Sequence, residues 1–259
     1  MNNPIGIIDS GVGGLSIAST IVKFLPKESI IYIADSKNCP YGQKSKEEIY
    51  RLTQKMADFL VSKDIKLLVV ACNTITVTSI DKLRKDYPKL PIVGIVPVLK
   101  AASERTKSGK IGIFSTQVTA QSNYQKDLIE KFAKGCQVLN IGSADLVPLI
   151  EKVDFEAIDK VLNEELRPFK EAGIDTLALG CSHFPLIKDR IQRILPGVLV
   201  LDSAEAVSRQ VQRILKHNRI LSSSKKPSYN FYTTGDLEQI NYFAKELTMN
   251  ARIERISLP

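Results

Sequence analysis

Short apolar runs punctuate the chain at 5–8, 30–34, 67–71, 92–95, 111–114, 138–141, 176–179 and 198–201. Half-exposed strands would alternate apolar and polar residues. These runs are continuous, which predicts strands buried on both faces, as in a parallel sheet covered by helices. Between the runs the spacing of apolar positions predicts helices over 144–153, 155–172, 186–195 and 204–216. Ser45-Lys46-Glu47-Glu48 is a capping box that opens a further helix running toward Ser62. Strands and helices in alternation define the α/β class with mostly parallel sheets.

The pattern also repeats. Ile5-Gly6-Ile7-Ile8-Asp9-Ser10 matches Ile111-Gly112-Ile113-Phe114-Ser115-Thr116 at an offset of 106 residues (Ile5 to Ile111). The run ending in Cys72 matches the run ending in Cys181 at an offset of 109, and Leu90-Pro91 matches Leu195-Pro196 at 105. Three matches in one order at nearly one offset predict two similar α/β domains. The first comprises 1–97 plus 209–259 and is discontinuous; the second comprises 98–208. A pseudo-twofold relating them would set equivalent strand ends across a cleft, the expected place for a site. Segment 221–228 is polar, holds Pro227 and reads as a linker. After it come an expected strand at 229–233, a helix at 237–247 and a strand at 252–256, a tail that falls outside the repeat and is expected to pack on the first domain.

Composition narrows the class. Of 259 residues, 44% are hydrophobic and 25% charged, which suits a globular protein and excludes a disordered or disulfide-scaffold chain. No apolar run approaches the roughly 20 residues of a spanning helix, and Met1-Asn2-Asn3-Pro4 has no secretory character. A cytoplasmic location is expected. The net charge is +8, but the cations are spread along the sequence and Lys225-Lys226 is the one compact run. That distribution suits attraction of small acidic ligands better than nucleic acid. Cys39, Cys72, Cys136 and Cys181 show no C-x-x-C pairing, and His183 and His217 are the two histidines. Neither a metal site nor a cluster is expected.

Open α/β sheets bind ligands beyond the carboxyl ends of their strands, and several such ends carry unusual residues. Asp9-Ser10-Gly11-Val12-Gly13-Gly14 frees backbone N–H groups at a helix start, which suits an anion. A dinucleotide reading competes, with Asp35 at about the expected distance, but Ser16 occupies the third glycine position. Cys72-Asn73-Thr74 and Cys181-Ser182-His183 each end an apolar run and precede an expected helix start. A single cysteine is usually a small buried hydrophobe. Two at corresponding strand ends suggest instead a thiolate and a thiol acting as base and acid, with a helix N-terminus lowering the thiol pKa. His183, two residues after Cys181, suits tuning of that thiol. Pro40-Tyr41-Gly42 taken alone is an ordinary turn. Cys39 and Cys136 read as packing residues, and His217 as a favourable charge at a helix end.

Taken together, these motifs, with Gly180-Cys181-Ser182-His183-Phe184-Pro185, Leu201-Asp202-Ser203-Ala204 and Thr233-Thr234-Gly235-Asp236, resemble the glutamate racemase family over nearly the whole chain. The histidine two residues after the second cysteine is similar to the glutamate-specific rather than the aspartate-specific members. The resemblance implies cofactor-independent interconversion of L- and D-glutamate, supplying D-glutamate for peptidoglycan, with Cys72 acting on D-glutamate and Cys181 on L-glutamate. It implies that Asp9 and His183 assist the thiols and that Glu151, after Val147-Pro148-Leu149, supports His183. Asp9, Ser10, Tyr41, Gly42, Asn73, Thr74, Ser182 and His183 would hold the substrate. It further implies a homodimer, while the short apolar runs and the spread of cations lead us to expect no membrane or nucleic-acid partner. Departures from the family pattern are Ser182 and Phe184 for threonine and tyrosine, Thr76-Val77-Thr78 for small residues, and Gly142-Ser143-Ala144-Asp145 where a cysteine-proline is usual. A related small-acid racemase, a nicotinamide enzyme and a non-catalytic binding relative are the alternatives.

Overall fold

The computed structural model describes residues 2–95 and 98–258. It divides into two compact units, one of residues up to 95 with 204–258, the other of residues 98–203. The expected crossing at 97/98 touches Pro97, which lies outside the described residues. The return crossing falls at 203/204 rather than 208/209. It does so because Ala204–His217 is one continuous helix. The helix buries Ala204, Val207, Ser208, Val211 and Leu215 along one stripe, and it packs on the first-unit helix Leu15–Phe24.

Ten strands are described. β1 (Ile5–Asp9), β2 (Ile30–Ala34), β3 (Leu67–Val70) and β4 (Ile92–Val93) belong to the first unit. β5 (Lys110–Thr116), β6 (Gln137–Ser143), β7 (Thr176–Gly180) and β8 (Leu199–Leu201) belong to the second. The tail adds β9 (Tyr229–Thr233) and β10 (Arg252–Arg255). The first sheet runs β10-β9-β2-β1-β3-β4 and the second β6-β5-β7-β8, with every pairing parallel. The tail thus joins the first unit as two strands beyond β2. The remaining four strands of the first sheet follow the same order as the four of the second, as a duplication requires.

Register carries the equivalence to single residues. Ile5 pairs with Leu67 across β1 and β3, and Ile111 pairs with Thr176 across β5 and β7. Those are the positions related by the offsets of 106 and 109. In the first unit, Ile8, Ile33, Leu68 and Val70 pack against helices Lys46–Val61 and Asn73–Asp86 through Ile49, Met56, Leu60, Ile75 and Leu83. In the second, Phe114 is buried against Phe169 and Phe184, at ring distances of 5.8 and 4.7 Å.

Several expectations change. β6 is an edge strand and half-buried along most of its length, not covered on both faces. The helix expected over 155–172 is two, Phe155–Glu165 and Arg167–Ala172, because Pro168 lacks the N–H that a continuous helix needs. The helix expected over 186–195 begins as a short 3-10 turn, Phe184–Ile187, and becomes α-helical at Lys188–Ile194. Ser45 does cap its helix, its Oγ accepting from Glu48 N at 3.2 Å. No helix among the described residues is long and apolar enough to cross a membrane.

Candidate active site

The first unit assembles one cluster at the carboxyl ends of β1, β2 and β3. Asp9 ends β1 and is fully buried. Its Oδ1 accepts from Gly11 N at 3.0 Å and from the Ser10 hydroxyl at 3.2 Å. Ser10 Oγ also lies 3.4 Å from Cys72 Sγ, so one hydroxyl links the carboxylate to the thiol. Cys72 is the N-cap residue of helix Asn73–Asp86, in extended conformation, and Asn73 and Thr74 form the first turn. The thiol therefore stands where the free N–H groups and the positive end of the helix dipole favour its anion.

The glycines of the Asp9 loop serve close packing. A Cβ on Gly14 would lie 2.8 Å from Asp9 Cβ and 2.9 Å from Asp9 Oδ2. Gly14 is bare so that the aspartate can be buried against it. Asp35, the acid of the dinucleotide reading, is also engaged. Its Oδ2 accepts from the Tyr41 hydroxyl at 2.6 Å, its Oδ1 from the Thr234 hydroxyl at 2.6 Å, and the Asn38 amide donates to both oxygens. Tyr41 is buried, and burial first, then the charges of Asp35 and Cys72, hold its phenol far above the ordinary range. It is a permanent hydrogen donor at any physiological pH. Gly42 follows it, half-buried, in a 3-10 turn. Sequence reasoning missed the role of Asp35 and Thr234 in fixing Tyr41. The legible signal was an aspartate just past the end of β2, matching Asp9 at the end of β1.

The second unit builds a different cluster. Cys181 follows β7 directly, and Cys181, Ser182 and His183 are all buried. The next element is the four-residue turn Phe184–Ile187 rather than an α-helix, so the helix-start argument holds for Cys72 and not for Cys181. His183 Nε2–H donates to Glu151 Oε1 at 2.6 Å, with side-chain exposures of 2% and 13%. A carboxylate held this close fixes the orientation of the ring. Glu151 is the last residue of helix Leu146–Glu151, whose Leu146 N–H is received by Ser143 Oγ at 3.2 Å. Ser143 thus anchors the start of that helix where the family's cysteine-proline is missing. Phe184 is fully buried against Phe114, an apolar setting for a ring without a hydroxyl. Thr76 Oγ1 accepts from Ile95 N at 3.2 Å, and the Thr78 hydroxyl donates to Thr74 O at 2.7 Å. Those two hydroxyls tie helix turns and the end of the β4 segment together.

Two α/β units of one strand order, each with a thiol beyond the same strand, define the class of a duplicated α/β fold. Residues 5–211 match the Asp/Glu/hydantoin racemase family, and the chain belongs to it. It is 37% identical to a glutamate racemase of Oceanobacillus iheyensis over 264 aligned positions, covering 100% of this chain and 96% of that protein. Glutamate racemase isoform RacE1 from Bacillus anthracis superposes with a TM-score of 0.89 at 35% identity, covering 99% of this chain and 98% of that one. The glutamate racemase of Francisella tularensis, solved in complex with D-glutamate, superposes at 0.85 with 30% identity and the same coverage.

Proposed function

We propose that the chain interconverts L- and D-glutamate by proton transfer at the α-carbon, with Cys72 and Cys181 as the two acid–base groups and no cofactor. The observation that supports this best is their equivalence: each stands just beyond the strand that pairs with the first strand of its unit, at one register position. The full-length similarity to glutamate racemases supports the substrate.

In this reading Cys72 thiolate removes the α-proton of D-glutamate. The C–H electron pair stays on the α-carbon and spreads into the adjacent carboxylate. The Cys181 thiol then delivers its proton to the opposite face, giving L-glutamate and leaving the two thiols in exchanged protonation states. The reverse reaction starts from Cys181 thiolate. Asp9, through Ser10, adjusts the proton affinity of Cys72; the His183–Glu151 pair serves Cys181. The N–H groups and side chains of Asn73, Thr74 and Ser182, with Gly42 and the Tyr41 hydroxyl, hold the carboxylates and amine and stabilise the charge that develops. The product supplies D-glutamate for peptidoglycan in the cytoplasm, and the working assembly is a homodimer.

Proton NMR of D-glutamate in deuterated water with purified protein tests this directly. The α-proton signal is expected to vanish while L-glutamate appears in a chiral assay, and Cys72→Ala and Cys181→Ala are each expected to abolish racemisation. Full activity in either single variant overturns the two-base mechanism. Exchange of aspartate but not glutamate keeps the chemistry and changes the substrate.

A further inference from the structure

We propose that a phosphate-bearing small anion binds in the cavity beyond the carboxyl ends of β2, β9 and β10, on Lys37, Arg51, Lys55 and Arg255. The cavity has a volume of about 260 Å³ and lies wholly within the first unit. Its cations come from three stretches of fold that the sequence keeps apart. Lys37 sits in the turn after β2, Arg51 and Lys55 lie four residues apart on one face of helix Lys46–Val61, and Arg255 ends β10. The cations that look scattered in the sequence become a cluster once the tail is added beyond β2.

The four cations lining this cavity are poorly offset by acids. On the same helix Glu48 meets Lys44 at 2.9 Å, and on the Ala204–His217 helix Glu205 meets Arg209. Among the described residues Lys37, Arg51 and Lys55 form no ion pair, and Arg255 reaches only an exposed Asp236 at 3.6 Å. The one acid in the cavity wall, Asp35, forms no ion pair with them either. Its oxygens are taken up by the Asn38 amide and the Tyr41 and Thr234 hydroxyls. Four cations thus line one cavity whose wall holds a single carboxylate, and Ser257 adds a neutral polar residue to the wall.

The geometry selects the ligand class. The volume falls below the roughly 300–1,000 Å³ of pockets that enclose an organic molecule, so it suits phosphoryl groups with any larger portion left outside. A multiply charged oxyanion also answers two guanidinium forks and two ammonium groups better than a single carboxylate does. Ligands of open parallel sheets bind at this end of the strands. Asp35 is shared with Tyr41, so the cavity adjoins the thiol cluster of the first unit, but the proposal does not depend on racemisation.

Calorimetric titration with inorganic pyrophosphate, ADP and succinate, at low and moderate salt, tests it without turnover. Pyrophosphate and ADP are expected to bind, with succinate at least about tenfold weaker. Arg51→Gln and Lys55→Gln are each expected to raise Kd about tenfold, the scale of one lost charge-assisted contact. Lys89→Gln, a lysine outside the cavity, should leave it unchanged. Tighter binding of pyrophosphate assigns the free ion, tighter binding of ADP a nucleotide. Equal binding of succinate, no heat with either phosphate, or unchanged affinity in both cavity variants overturns the proposal in favour of general charge screening.

Discussion

The loops of Cys72 and Cys181 share a frame and differ in nearly everything that surrounds the sulfur. Register makes Ser115 the counterpart of Asp9 and Thr116 the counterpart of Ser10, while Thr74 is the counterpart of His183. Ser115 donates to a backbone carbonyl, Thr116 O, and the Thr116 hydroxyl donates to that of Thr119, so neither brings a charge to the second thiol. The ionisable groups of the two loops come from different places. Cys72 has a carboxylate from the adjacent strand, relayed by a serine, and the start of a 14-residue helix. Cys181 has an imidazole two residues on, braced by a glutamate from another helix, and no helix start. Duplication preserved the backbone that aims the two sulfurs. It did not preserve the side chains around them, and under the proposed function a chiral substrate gives the reason: the two faces of its α-carbon would present different groups to each thiol.

The largest effect expected of breaking this comparison comes from the sulfurs themselves. Cys72→Ser and Cys181→Ser should each cut turnover by about 10³-fold or more, since an alkoxide is far harder to form than a thiolate and an acid–base group contributes about 10²–10⁴. Because the enantiomers have equal free energy, kcat/KM must fall equally in both directions, and the asymmetry has to be sought in isotope effects. With α-deuterated substrate, Cys72→Ser should show the larger effect from D-glutamate and Cys181→Ser the larger effect from L-glutamate. The same effect from both enantiomers in both variants would show that the thiols are not side-specific. One step smaller, Asp9→Asn and Glu151→Gln should lower kcat by about 10- to 100-fold while moving these isotope effects in opposite senses. A merely structural role for either residue would lower kcat without changing the isotope effect.

Much of this comparison was legible in the residues. The strand runs, the capping box at Ser45, the repeat and the two cysteines were readable because period and offset are local properties of a sequence. The shape of the loop after Cys181 was not. Pro185 suits the start of any helix, and nothing local distinguishes a 3-10 turn from an α-helix there. The break at Leu166 was announced by Pro168 but hidden by an amphipathic pattern that continues across it. The bond of Thr234 to Asp35 spans 199 residues, and the cationic cavity needs β10 placed beyond β2. Both depend on strand order, which periodicity does not encode.

The smallest effect concerns what stands opposite Asp35 in the second unit. The pairing of Ile5 with Ile30 and of Ile111 with Val138 makes Ser143 its counterpart. Asp35 is buried with three donors around it, whereas the acid beside Ser143 is Glu165, whose Oε2 has no hydrogen-bond partner. Burial raises the Glu165 pKa, the Ser143 hydroxyl pulls it down, and Asp145 and Glu164 push it further up. A carboxyl raised in the folded state stabilises the fold below its unfolded pKa of about 4.3, and that contribution is lost as pH rises through the folded value. Glutamine keeps the shape and cannot ionise. Glu165→Gln should therefore match the wild type in thermal stability near pH 4 and exceed it near pH 7. The gain should be on the order of 0.5 kcal/mol, since partial exposure screens the charge, or about 1–2 °C in Tm for a chain of this size. A variant that is less stable at neutral pH would mean that the Glu165 carboxylate is held there by favourable contacts, and that the two units are more alike at this position than their hydrogen bonds indicate.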